Sequence, residues 1–233
     1  MHVDVLMFGA HPDDIECGIG GTALLLTEAG LSFGIFDLTK GEMGSRGTVE
    51  ERAAEARDAA HVLGAAFREN LDLGDCKLTD TIESRMAVAK LIRKHTPRIV
   101  LAPFWEDLHN DHVAAGLIVR HSSTYCSVAK LSDAAPPYRP PLFLYYLLHN
   151  FHTPSVILDI TSVFEQKLTA LKCYRSQFEK NASDYGVVPI GIGDYLFHLE
   201  SRCRYFGSLA NTKYGEPFVA DRPLVLKQLQ QIL

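Results

Sequence analysis

The stretch MFGAHPDDIECGIGG, residues 7–21, changes character twice within a few residues. An apolar run that begins at Val3 ends at Phe8, then His11, Asp13 and Asp14 appear, and glycines follow at 18, 20 and 21. A short, nearly continuous apolar run is what a strand buried on both faces of a parallel sheet requires. Two adjacent carboxylates repel each other, so a bare surface turn gains nothing from Asp13 beside Asp14. The pattern raises the expectation of a positive partner at the mouth of the first strand.

Outward from this stretch, strands and helices alternate. Residues 20–28 read as a helix stopped by Gly30, and 33–38 as a second strand opening into the glycine-rich loop KGEMGSRG, 40–47. Thr48 stands three residues before Glu51, the spacing of a capping box, ahead of an alanine-rich helix that runs to Gly64. A third strand is predicted over 67–73, a helix over 79–95 ending before Pro97, and a fourth strand over 98–102. The later third is less regular: a proline-rich loop at 134–141, strands at 142–148 and 156–160, and a helix capped by Ser162 and Glu165 that reaches about Phe178. Residues 179–194, polar and glycine-rich, read as a mobile loop. This order predicts a single α/β domain over 1–233, a Rossmann-like, mostly parallel sheet with helices on both faces.

Composition limits the function. With 47% hydrophobic and 22% charged residues the 233-residue chain is ordinary and globular. A formal charge of −5 argues against nucleic acid or an anionic membrane as partner. No apolar run is long enough to span a bilayer and no signal peptide is visible. Five scattered cysteines without a CxxC pair read as reduced thiols of a cytoplasmic protein.

A second cluster, FWEDLHNDHVAAG at 104–116, follows the fourth strand as HPDD follows the first. Both therefore lie beyond the carboxyl ends of parallel strands, where α/β sheets bind ligands. Two imidazoles and one carboxylate, His11, His112 and Asp14, form a zinc ligand set that leaves a fourth position for water, and iron or manganese suits the same donors. Asp111 is placed to orient a neighbouring imidazole. Asp13 then becomes the general base that activates water and returns the proton to a leaving amine. His109, opposite, stabilises an oxyanion, as a charged donor if it is protonated. These parts suit hydrolysis of a carboxamide.

AHPDD after the first strand, paired with HNDH after the fourth, resembles the zinc-dependent deacetylases of the LmbE or PIG-L type. Within that group the chain is most similar to the bacillithiol-pathway enzymes that remove acetyl from N-acetylglucosaminyl malate. LTKGEMGSRGTVEER, YRSQF at 174–178 and the C-terminal GEPF belong to the likeness. The resemblance implies His11, Asp14 and His112 as metal ligands, Asp13 as base, His109 supported by Asp111 as electrostatic partner, and Arg52 as a sugar contact. It also implies a small-molecule N-acetylglucosamine conjugate as substrate and a homo-oligomer such as a hexamer. Two departures stand out: the glutamate that the family often has directly after the aspartate pair is displaced here to Glu16, and Asn110 stands where proline is frequent.

Plainer readings stand beside these. Asp13 and Asp14 could cap a helix, and Asp111 could be the N-cap of the helix that starts near His112. Arg139 could meet a carboxylate on the substrate or a neighbouring subunit, or be an ordinary surface arginine. His152 and Tyr195 are candidate pocket-wall groups, and Trp105 could wall the site. The remaining histidines, His149 among them, have no convergent partner in sequence. An inositol-type conjugate is the alternative substrate. A dinucleotide-binding fold is the rival from another class, since Gly18, Gly20 and Ala23 spell G-x-G-x-x-A and Asp37 ends the second strand. Residues 11–17, however, fill the place where a pyrophosphate would approach.

Overall fold

The computed structural model describes residues 1–131, 135–178 and 195–224. Its seven strands are β1 (Val5–Gly9), β2 (Phe33–Asp37), β3 (Phe67–Asn70), β4 (Ile99–Pro103), β5 (Leu142–Tyr146), β6 (Val156–Asp159) and β7 (Gly215–Ala220). They form one sheet in the order β3-β2-β1-β4-β5-β7-β6. The pairings from β3 across to β5 are parallel, whereas β7 runs antiparallel to both β5 and β6.

Side chains alternate across the strands and divide the core in two. Leu6 and Phe8 of β1 point into one cluster with Phe36, Val100 and Ala102. Val5 and Met7 point into the other with Ile35 and Leu101. Helices α3 (Ile82–His95) and α4 (Asn110–Ser127) cover the first face through Val88, Ile92, Ala115, Ile118 and Val119. Helices α1 (Asp14–Glu28), α5 (Phe164–Leu171) and α7 (Tyr195–Leu209) cover the second through Ile15, Ile19, Phe164, Leu199 and Cys203. Helix α2 (Val49–Leu63) packs against α5, and the single turn α6 (Arg175–Phe178) against α2. The sheet is thus covered on both faces by helices, and both faces of β1 are buried.

The helix ends follow local chemistry. Thr48 Oγ1 accepts the Glu51 N–H at 3.1 Å while Glu51 Oε2 accepts the Thr48 N–H at 2.8 Å, and Gly64 ends α2 with φ +81°. Several boundaries differ from expectation, with β3 ending at Asn70 and β5 at Tyr146, short of the predicted 73 and 148. Helix α1 begins at Asp14 rather than Gly20, because its first turn is made of the buried polar residues that obscure helical periodicity. Ser162 and Glu165 form no capping box: a 3-10 turn over Thr161–Val163 leads into α5, which has no side-chain cap and stops at Leu171. Asp111 is not the N-cap of α4; His109 is, and its side chain accepts the Asp111 N–H.

Two elements go beyond the sequence reading. In α7 the buried Leu199, Cys203, Phe206 and Gly207 are spaced as one helix face. Strand β7 is interior to the sheet yet carries Pro217, opposite Ile157, and a proline normally argues against a central strand. The predicted loop 179–194 lies outside the described residues.

Candidate metal centre and active site

Strands β1 and β4 are neighbours, so the turn after β1 and the loop after β4 leave the same edge of the sheet side by side. This is the crevice position of an open α/β sheet, where successive connections depart in opposite directions. Asp14 closes the first turn: its Oδ2 accepts the N–H of Ala10 at 2.8 Å and of His11 at 3.0 Å. Asp13 adopts φ +109°, a region few non-glycine residues tolerate, and its carboxylate turns to Arg52 with Nη2–Oδ2 at 3.0 Å. Adjacent in sequence, the two acids therefore meet different partners.

Asp14 faces both imidazoles. His112 Nε2 lies 3.2 Å from its Oδ1, and His11 Nδ1 lies 3.8 Å from its Oδ2. The remaining nitrogen of each ring is committed to carboxylates. His11 Nε2 contacts Asp75 Oδ1 at 3.1 Å and Asp111 Oδ2 at 3.3 Å, and His112 Nδ1 contacts Asp107 Oδ1 at 3.0 Å. Outer N–H groups bonded to carboxylates leave the inner nitrogens as lone-pair donors, the arrangement that orients histidine ligands around a metal. Ligand atoms about 2.0–2.2 Å from one ion in a tetrahedron lie about 3.4 Å apart, close to the spacings of Asp14 from the two rings. His109 brings a third imidazole, with one nitrogen from each of His11, His109 and His112 within 4.8 Å of the others. Among the described residues, the set Asp107, His112 and His149 and the set His11, Asp75 and Asp111 also bring ligand atoms within 4.8 Å of one another. Two imidazoles and a carboxylate are donors that suit a divalent ion, zinc, iron and manganese alike.

The electrostatics call for that charge. Burial works against a charged His11, yet Asp111, Asp14 and Asp75 outweigh it and hold the imidazole well above its ordinary pKa. Burial likewise opposes a charged His112, while Asp14 and Asp107 push it up to about 9. Burial would raise Asp14, but His112 and His11 keep it well below the usual carboxylate range. The crowded carboxylates bind positive charge in whatever form is offered, and a divalent cation supplies it without protonating the ligands. Burial raises Asp13, opposed by the charge of Arg52.

The other residues singled out in the sequence take varied places. Arg52 is only 7% exposed, and beyond Asp13 it donates to the carbonyls of Pro12 at 2.8 Å and Gly41 at 3.2 Å. It is thus packed against Asp13 and the turn that carries it. Gly41 makes room for it, since with φ +67° a Cβ there would lie 2.0 Å from Arg52 Nη1. The Asp111 carboxylate joins His11 and the Cys76 N–H (2.7 Å), while His109 receives only the Asp111 backbone N–H, at 3.2 Å on Nδ1. His152 stacks on Phe104 at 4.8 Å, just beyond β4. Trp105 lies against Tyr145 and under the Arg120 guanidinium. Tyr195 stacks on Phe178 at 4.9 Å and contacts Cys17 in the first turn of α1. Arg139 is exposed and stands apart: its neighbour Tyr138 bonds to Pro97 O and Cys126 O, at the opposite end of the sheet.

Three residues that contact the candidate site were not singled out in the sequence. Asp107 accepts from His112 and also from His149, whose ring lies parallel to His112 at 5.0 Å. Asp75 backs His11 and accepts the Met43 N–H at 2.9 Å, which ties the glycine loop to the site. All three lie within a few residues of a strand's carboxyl end, the signal already used for HPDD and HNDH. The dinucleotide pattern is spent otherwise: Gly18 and Gly20 are buried inside α1, and Asp37 is held by Arg68 through two bonds of 2.7 and 2.8 Å.

Fold and site together define an α/β protein with a candidate divalent-metal centre at the carboxyl ends of β1 and β4. Residues 6–123 match the PIG-L family, described as GlcNAc-PI de-N-acetylase, and the chain belongs to that family. It is 30% identical to diacetylchitobiose deacetylase from Thermococcus kodakarensis, over 91% of this chain and 80% of that protein. It is 28% identical to 4-oxalmesaconate hydratase from Pseudomonas putida, over 74% of this chain and 73% of the relative. A probable N-acetyl-alpha-D-glucosaminyl L-malate deacetylase 2 from Bacillus cereus is 29% identical over 79% of this chain and 88% of its own. Among solved structures, the conserved protein TT1542 from Thermus thermophilus superposes with a TM-score of 0.87 at 36% identity, covering 97% of this chain and 98% of that one.

Proposed function

We propose that the protein is a metal-dependent deacetylase that releases acetate from an N-acetylglucosamine conjugate, with N-acetylglucosaminyl malate as the preferred substrate. The observation that carries this reading is the pair of imidazoles, His11 and His112, turned inward on Asp14 with their outer nitrogens bonded to carboxylates. A divalent ion held there supplies Lewis acidity toward an amide carbonyl and toward water. Asp13 takes the proton from the attacking water and delivers it to the departing amine, and its burial-raised pKa suits both steps. Arg52 keeps that carboxylate turned away from Asp14.

His109 acts as a neutral donor. Its Nδ1 accepts the Asp111 N–H, so the ring proton sits on Nε2, and burial lowers its pKa. A neutral N–H then faces the developing oxyanion, the uncharged form of the donor expected from the sequence. The deacetylase relatives support this chemistry, and the malate deacetylase relative supports the aglycone. The hydratase relative shows that the scaffold serves another reaction, so substrate choice needs a direct assay. Acetate release is measured with N-acetylglucosaminyl malate, diacetylchitobiose, the inositol conjugate and free N-acetylglucosamine. Highest kcat/KM on the malate conjugate is expected. A preference for diacetylchitobiose or the inositol conjugate rejects the malate assignment, and no acetate from any of the four rejects the deacetylase.

A further inference from the structure

Away from the metal centre, one buried ion pair sits at the break of a helix. Helix α1 is interrupted at Ile19, whose φ of −139° and ψ of 25° are not helical. In an unbroken helix the Gly21 N–H would donate to the Cys17 carbonyl. Here Cys17 O accepts from Lys167 Nζ at 2.9 Å, the Gly21 N–H donates to Glu216 Oε1 at 2.8 Å, and Lys167 and Glu216 join at 2.6 Å. The Thr22 N–H and Oγ1 donate to Glu216 Oε2 at 2.7 and 2.6 Å. The carboxylate therefore caps the second half of α1, and the ammonium satisfies the last turn of the first half.

Both side chains are fully enclosed, at 0% and 1% exposure. The pair is not interchangeable with apolar residues of the same size, because Cys17 O, the Gly21 and Thr22 N–H groups and Thr22 Oγ1 would then be buried without these partners. Gly21 permits the approach, since a Cβ there would lie 2.7 Å from Ile160 Cγ2 and 3.0 Å from Glu216 Oε1. On the other side of the break, the turn of residues 14–18 carries Asp14 and follows Asp13. Its Cys17 N–H donates to Asp13 O at 2.9 Å, so the residue that Lys167 grips is bonded to the base. Two more buried cations hold the same turn, Arg52 at Asp13 and Arg68 at Glu16 (2.7 Å).

We propose that the Lys167–Glu216 pair is a positioning device for the metal centre: it fixes the first turn of α1 against α5 and β7, and so aims Asp13 and Asp14 into the crevice. This rests on the reading of Asp14 as a metal ligand and Asp13 as the base. The test replaces both charges at once, Lys167→Met with Glu216→Gln, which leaves no unpaired buried ion. Three quantities are compared with the parent chain: amide exchange at residues 14–18 in metal-free protein, zinc affinity by chelator competition, and kcat against KM on an N-acetylglucosamine conjugate.

Faster exchange, zinc affinity weaker by about tenfold or more, and a lower kcat at nearly constant KM are expected in a variant that still unfolds cooperatively. Parent-like exchange and affinity in that folded variant overturn the proposal. Should the double variant not fold, Thr22→Val, which removes only the Oγ1–Oε2 bond, carries the same test, with faster exchange expected and unchanged exchange contradicting it. A parent chain that binds no zinc sinks the metal-site reading instead, and exchange at 14–18 alone then decides whether the pair holds the turn.

Discussion

Asp13 and Asp14 differ by one position and by every partner they have. Asp14 is bonded by two backbone N–H groups and faced by two imidazoles, whereas Asp13 is turned by an unusual φ toward Arg52. Their substitutions should therefore separate. Asp14→Ala and His112→Ala are expected to lose metal and turnover together, while Asp13→Asn keeps one metal per chain and loses about 10²–10⁴ in kcat. Metal content and kcat measured on the same samples decide this. The pH profile gives a second prediction. Asp13 works as a carboxylate, so activity falls as pH drops through its raised pKa, and Arg52 is the charge that lowers that pKa. Arg52→Leu should therefore move the acid limb of kcat to higher pH, and an unmoved limb would detach Arg52 from the base. At this scale the clustering of His11, Asp14 and His112 was legible because short, unusual patterns follow apolar runs. The supports were not: Asp75 and His149 reach His11 and the His112 partner Asp107 from other loops, so only the fold brings them together.

Among the elements, α2 and the glycine loop before it have separable duties. The Thr48 side chain caps α2 through Glu51, whereas Gly41 leaves the space that the Arg52 side chain fills. Thr48→Ala is expected to destabilise the protein by about 0.5–2 kcal/mol with kcat unchanged. Gly41→Ala should lower kcat by displacing the guanidinium behind Asp13. Denaturant midpoints and steady-state rates on the two variants test the division, which fails if Thr48→Ala lowers kcat or Gly41→Ala leaves it intact. Elements with local signals were readable, as the Thr48 capping box and the strand runs of β1, β2 and β4 illustrate. Helix α1 was misjudged at its start because its first turn is polar and buried, held by arginines from α2 and β3 and by a lysine from α5. Pro217 hid β7, whose place between β5 and β6 is set by pairing and not by propensity.

For the whole molecule, the decisive feature is the neighbouring of β1 and β4, which brings residues about a hundred positions apart into one crevice. Alternation of strands and helices predicted a mostly parallel sheet, but the antiparallel insertion of β7 depends on long-range register that no local pattern encodes. No helix among the described residues is long and apolar enough to cross a membrane. Because the two apolar clusters on the faces of the sheet are built of residues other than the candidate ligands, chelation should lower the melting temperature and leave a folded chain. Zinc at about a hundred times its Kd should restore about 2.7 kcal/mol; unfolding on chelation would mean that the ion builds the core. The central claim is most directly tested by anomalous diffraction at the zinc edge from zinc-loaded crystals. The account predicts one peak per chain bounded by His11 Nδ1, Asp14 and His112 Nε2, with no fourth protein ligand. A peak between Asp107 and His149, or one closed by a fourth side chain, would contradict it.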